Sequence, residues 1–79
     1  MALQVFLAAS LRKYVADYNA ATGYEITAQT GATVRDVARL LHIPQEEVKL
    51  IMVNGIAAPW ETTLAGNERV AFFPPVGGG

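Results

Sequence analysis

Leu3, Val5 and Leu7 alternate with Gln4, Phe6 and Ala8, the two-residue period of a strand that turns one face to a core. Phe6 falls on the opposite face. From Ser10 the period changes, and Leu11, Tyr14, Val15 and Tyr18 follow the i, i+3, i+4, i+7 spacing of a short helix, capped by Ser10 and ended by Asn19 to Gly23. Tyr24-Glu25-Ile26-Thr27-Ala28 alternates again and predicts a second strand paired with the first. Thr33 precedes Val34, Val37, Ala38 and Leu41 at helical spacing, with Asp36 three residues beyond it, which predicts the main helix over 33–42. Pro44 stops that helix, because it has no backbone donor and disfavours helical geometry at Ile43 before it. Lys49 to Val53 reads as a strand closed by Asn54-Gly55, the dipeptide that best tolerates the positive φ angles of a tight hairpin, with a short return strand at Ile56-Ala57. After a loop through Pro59 and Trp60 and a turn at Ala65-Gly66-Asn67, a last strand runs from Arg69 to Phe73 and ends at Pro74-Pro75.

Two strands, a helix across one face and the further strands that follow it make a two-layer α+β domain. Val34, Val37, Leu40 and Leu41 are expected to pack on Val5, Leu7, Ile26, Ile51, Val53, Val70 and Phe72. Phe73 has the opposite parity from Val70 and Phe72, so it shares the reverse face with Phe6, Ala8 and Met52. That face has two readings: aromatic anchors for a partner, or side chains covered by the segment from Ser10 to Thr22. The expected division of the chain is one domain over residues 1–75 and a flexible tail over 76–79.

Composition narrows what such a domain can do. Seventy-nine residues bury only roughly 60% of the unfolded surface, which leaves little room for a catalytic cleft. The absence of cysteine removes disulfides, thiolate nucleophiles and cysteine metal sites. A net charge of −1 gives no phosphate-neutralising surface, so nucleic acid is not an expected partner. No apolar run reaches the ~18 residues of a membrane span, and a cytoplasmic location is expected. Charged residues make up 16% of the chain and apolar ones 52%, so either exposed apolar surface or the thirteen alanines account for the excess.

Four stretches together resemble the MoaD/ThiS family, the ubiquitin-like β-grasp sulfur carriers of molybdopterin and thiamine biosynthesis. They are Ala9-Ser10-Leu11-Arg12, Gly31-Ala32-Thr33-Val34, Val53-Asn54-Gly55, and the end of the chain from Arg69 through Phe72-Phe73-Pro74-Pro75-Val76-Gly77-Gly78-Gly79. The last is specific and the others are individually weak. Phe-Pro-Pro-Val ahead of a terminal diglycine is most similar to the molybdopterin branch, whose small synthase subunit is MoaD. A third glycine, a longer connection from Arg12 to Tyr24 and a single acid, Glu68, before the last strand depart from that pattern.

The resemblance implies a mixed β-grasp sheet with one main helix and a function centred on the last residue. In such carriers a partner adenylyltransferase uses ATP and Mg²⁺ to adenylate the C-terminal carboxylate, here that of Gly79. A sulfurtransferase then supplies sulfur to form a thiocarboxylate, and the carrier binds no cofactor itself. An α-carboxyl with a pKa near ~3.5 is ionised at neutral pH, but the charge developed in its attack on phosphorus needs cations from the partner. Gly78 and Gly79, lacking Cβ atoms, would thread a narrow channel. Pro74 and Pro75 would stiffen the base of the tail, and Val76 and Gly77 would dock with it. In the family the face bearing Phe6 and Phe73 docks the activating enzyme and the sulfur-accepting subunit, which here implies the molybdopterin synthase large subunit or a thiazole synthase. The same tail also admits a ubiquitin-like modifier joined to lysines through Gly79, an interaction module with an inert tail, or a glycine-rich end without a role.

Other residues read as structural. Trp60 beside Pro59 is expected to anchor its loop. His42 sits favourably at the helix end and, as the single histidine, has no companion for a histidine metal site. Glu46 and Glu47 are adjacent in a turn and read as solvated surface, not as a catalytic pair.

Overall fold

The computed structural model describes residues 2–16, 18–27 and 31–75. Strands β1 (Leu3–Leu7), β2 (Tyr24–Ile26), β3 (Leu50–Val53), β4 (Ile56–Ala57) and β5 (Arg69–Phe73) form one sheet in the order β2-β1-β5-β3-β4. β1 and β5 run parallel at its centre, and the other neighbours are antiparallel, so the sheet is mixed as expected. Helix α1 (Val34–Leu40) covers one face.

Cross-strand rows form the core side of the sheet. Val53, Val70, Val5 and Tyr24 lie opposite one another across four strands, and Ile51, Phe72 and Leu7 make the next row. Leu3, Val5, Val70 and Phe72 are fully buried, which matches their alternation in the sequence. Trp60 stacks on Phe72 with ring centroids 5.8 Å apart, which gives the loop after β4 its expected anchor. At the hairpin, Asn54 and Gly55 both take positive φ, 53° and 82°, as a two-residue turn between β3 and β4 requires.

The stretch after β1 differs from expectation. It is a 3₁₀ helix over Ala9–Tyr14, not an α-helix from Ser10 to Tyr18, and no side chain caps it. Three residues per turn put Leu11 and Tyr14 above one another, while Val15 reaches the core from extended backbone. β2 is also shorter than expected: it ends at Ile26, and Ala28 lies outside the described residues. A second 3₁₀ turn, Gln45–Glu47, holds the two adjacent glutamates. Glu47 is not simply solvated surface, since it is half-buried and its carboxylate stands 4.0 Å from Lys13 Nζ.

Helix α1 shows why the capping signal was readable. Thr33 Oγ1 accepts from the Asp36 N–H at 3.2 Å, and the Asp36 carboxylate accepts from the Thr33 N–H at 2.9 Å, a full capping box. The latter bond is the main reason the Asp36 carboxyl is held below its ordinary range. The remaining first-turn donors are met from a distance: Val34 N–H donates to Thr62 O and Arg35 N–H to Trp60 O. At the other end Ile43 N–H donates to Ala38 O and His42 N–H to Arg39 O, a Schellman motif that buries Ile43. The helix therefore stops at Leu40, short of the expected residue 42. Leu40 is a second correction. Val34, Val37, Ala38 and Leu41 form the inward stripe, and Leu40, one residue off it, is 58% exposed.

Glu68 starts β5. Burial works to raise its carboxyl pKa, but N–H groups of Ala65, Gly66 and Asn67 donate to it at 2.7, 3.0 and 3.1 Å and hold it below the ordinary range. Its carbonyl accepts the Gln4 N–H at 3.1 Å, the first bond of the parallel pairing.

Two outcomes test this account. Because the folded Glu68 pKa is depressed, the stability from its charge is present above the unfolded value and lost as pH falls through the folded one, from about pH 4.5 downward. Chemical denaturation of Glu68→Gln against the parent is expected to show a deficit at pH 7 that shrinks toward pH 3; a deficit independent of pH would mean that the cradle does not hold a carboxylate. His42 occupies the left-handed C′ position with φ 59°. Glycine there removes Cβ strain but adds freedom to the unfolded chain, so His42→Gly is expected to raise stability by about 0.5–1 kcal/mol in the same assay.

Candidate functional site

The reverse face of the sheet carries Phe6, Ala71, Met52 and Ala57 as one cross-strand row and Phe73 with Leu50 as the next. Phe6 and Phe73 are brought together as their parity requires. Both are half-buried, so Phe73 is less exposed than a lone surface aromatic, and Leu50 beside it is 42% exposed. A cavity of about 190 Å3 opens between them, lined by Phe6, Ala8, Arg12, Tyr18, Ala71 and Phe73.

The segment after the first 3₁₀ turn passes beside the aromatics and leaves both half-buried. Tyr18 is fixed there because the Leu7 N–H donates to its hydroxyl at 2.8 Å, beyond the end of β2, where the sheet offers no carbonyl. Gly23 lets the returning chain pass: a Cβ at its φ of 75° would lie 2.9 Å from Val5 O and 3.1 Å from the Phe6 ring.

Cations frame the cavity. The Arg12 guanidinium lies 6.0 Å from the Tyr18 ring centroid, and its Nε–H donates to Leu7 O at 3.3 Å. Arg69 lies 5.9 Å from the Phe6 ring centroid. Among the described residues neither arginine has an ion-pair partner, so an apolar patch rimmed by positive charge faces solvent. Arg69 shares its parity with Ala71 and Phe73, a signal present in the sequence, whereas Tyr18 and Arg12 arrive through a turn that periodicity does not specify.

The sheet ends at the base of the tail. Lys49 N–H donates to Phe73 O at 2.7 Å, and Pro74 and Pro75 then offer no donor to continue the ladder. Pro74 is half-buried and Pro75 exposed. Val76, Gly77, Gly78 and Gly79, expected to carry the chemistry and to be mobile, lie outside the described residues. Among the described residues no three histidine, cysteine or acidic side chains gather as metal ligands, and no helix is long and apolar enough to cross a membrane.

Comparison with known proteins gives this geometry a family. No curated protein sequence matches the chain. The fold is similar to that of SAMP1 from Haloferax volcanii at a TM-score of 0.71 and 22% identity, covering 100% of both chains. It is also similar to a Pyrococcus furiosus protein described as molybdopterin converting factor subunit 1, at a TM-score of 0.67 and 25% identity, covering 96% of this chain and 99% of that one. These neighbours share the ubiquitin-like β-grasp, a mixed five-stranded sheet with one main helix. The ThiS family model matches residues 12–79, from Arg12 through the triglycine. This chain is a member of the ThiS family of small carrier proteins, built on the MoaD-like ubiquitin fold.

Proposed function

We propose that the chain is a sulfur carrier whose working group is the carboxylate of Gly79. The observation that carries this reading is the family match running through Gly79, on a chain whose last strand ends at Phe73 and whose next residues are two prolines. In the proposed cycle a carboxylate oxygen of Gly79 attacks the α-phosphorus of ATP and pyrophosphate leaves. Sulfur delivered as hydrosulfide then attacks the acyl carbon and AMP leaves, which gives the thiocarboxylate as the sulfur donor. The cations for the first step come with the activating enzyme, because the described residues near the tail place arginines on the sheet face and not on the tail itself. Molybdopterin is the favoured destination, from the Phe73-Pro74-Pro75 ending and the likeness to a molybdopterin converting factor subunit; that likeness also supports a larger subunit as partner. Thiazole synthesis would use the same tail.

The reverse face serves as the docking surface in this proposal. Phe6 and Phe73 supply apolar anchors at the base of the tail, and Arg12 and Arg69 supply a rim for acidic side chains of the partner. A partner bound there would hold the tail within reach of its nucleotide.

A second reading rests on the same acyl-adenylate. If a lysine amine replaces sulfur as the nucleophile, an isopeptide bond to a target protein forms. The likeness to a small archaeal modifier protein accords with this in fold.

Intact mass of the protein from its native host separates the two. Sulfur carriage predicts a fraction heavier by the difference between sulfur and oxygen, localised to Gly79 and lost on deletion of that residue. Unchanged thiocarboxylate formation without Gly79 would sink the chemistry, and lysine adducts alone would favour the modifier. For the docking face, Phe73→Ala is expected to weaken partner binding by about 2 kcal/mol or more, as loss of an aromatic hot spot does. Half-burial limits its folding cost to about 1 kcal/mol. Affinity and denaturation midpoint measured together decide this: a large stability loss at unaltered affinity would place Phe73 in the core and remove the docking assignment.

A further inference from the structure

Two residues that line the reverse-face cavity, Tyr18 and Ala20, come from the connection between Arg12 and Tyr24, where this chain departs from the carriers it resembles. Local bonds fix both. The Leu7 N–H holds the Tyr18 hydroxyl at 2.8 Å. Asn19 O accepts the Gly23 N–H at 2.7 Å and Asn19 Oδ1 accepts the Ala21 N–H at 2.8 Å, which sets the turn that carries Ala20. The backbone at this end of β1 is already paired: Leu7 O takes the Arg12 Nε–H, the Ala8 N–H goes to Phe72 O at 3.2 Å, and Ala8 O takes the Leu11 N–H at 3.1 Å. What the cavity of about 190 Å3 offers an occupant is therefore chiefly the rings of Phe6, Tyr18 and Phe73 and the methyl groups of Ala8, Ala20 and Ala71.

We infer that this cavity is a socket for one large apolar side chain, a leucine or phenylalanine, projecting from the activating enzyme, and that Tyr18 and Ala20 determine which enzyme fits. The inference rests on the docking role proposed above for this face. The volume holds one side chain and not a stretch of chain, and the three alanines are what leave it open. A polar side chain would give up water for walls made mostly of rings and methyl groups, so an apolar one is selected. Position points to the enzyme that takes up the tail. Phe73 lines the socket, β5 ends there, and the next two residues are the prolines at the base of the tail, so a protein holding Gly79 at its nucleotide meets the sheet at this spot. A single apolar side chain seated among half-buried aromatics has the geometry of an interface hot spot.

The test begins with titration of the full ¹⁵N-labelled chain with N-acetyl-L-leucine amide, a neutral probe that carries one such side chain. Saturable shifts are expected at Leu7, Ala8, Ala20 and Ala71, and none from N-acetylglycine amide. Ala71→Leu fills the socket from its floor and Ala20→Leu from its rim, and each is expected to weaken the probe at least tenfold. Ala20 is exposed, so its variant decides if Ala71→Leu does not fold. Tyr18→Ala removes a wall and is expected to weaken the probe at least threefold. In the native host, the fraction of Ala20→Leu carrying the thiocarboxylate is expected to fall at least tenfold at an unchanged denaturation midpoint. Conversion of Ala20→Leu equal to that of the parent would overturn the socket and leave the Gly79 chemistry standing. No thiocarboxylate on the parent would remove the sulfur reading and, with it, the activating enzyme as the source of the side chain. Probe shifts that never saturate, that centre on Tyr24 and Leu40, or that survive both leucine variants would also overturn the socket. So would tighter probe binding by a chain truncated after Pro75, which would make Val76 the occupant.

Discussion

The parallel pairing of β1 with β5 is the contact on which the rest of the molecule depends. It joins residues more than sixty positions apart in sequence, from Gln4 with Arg69 to Leu7 with Phe72. Loop closure on that scale costs entropy before any contact is gained, so the pairing has to be held by burial. Val5, Leu7, Val70 and Phe72 supply it, all essentially without solvent exposure. Glu68 secures the entry to this pairing: its carboxylate is tied to the preceding turn, and its carbonyl takes the Gln4 N–H of β1.

Strand alternation then gives the two sheet faces different chemistry. One side of β1 and β5 is the core, and the other sets Phe6 beside Ala71 and Phe73 at the point where the prolines end the ladder. The half-buried aromatics, Arg69 and the base of the tail at Pro74 are thus consequences of one register. A slip of β5 by one residue would bury Ala71 and Phe73 and expose Val70 and Phe72.

The helix illustrates how local and distant contributions combine. Thr33 and Asp36 cap the first turn from within, while Trp60 and Thr62 carbonyls from the loop after β4 take the next two N–H groups. That loop is held in turn by Trp60 on Phe72 and by burial of Leu64. The helix, the loop and the last strand therefore support one another, and a helix of seven residues, marginal alone, is stable in this setting.

Much of this was written in the sequence wherever a side chain acts on its own backbone or repeats with the period of its element. The alternation of β1 and β5 placed Val70 and Phe72 inward and Phe73 outward; Thr33 and Asp36 marked the helix start; Asn54-Gly55 marked the hairpin; and the ending through Gly79 marked the family. Tertiary structure alone decided the rest. Tyr18 closing the Leu7 N–H, the 3₁₀ form of Ala9–Tyr14, Ile43 and Leu64 in the core, and Leu40 in solvent all depend on groups distant in sequence. The place of β2 at one end of the described strands was equally invisible, because no strand encodes in its own residues which neighbours it will have. Periodicity reports which face of an element is apolar, but hydrogen-bond partners and exposure are set by where the other elements come to lie.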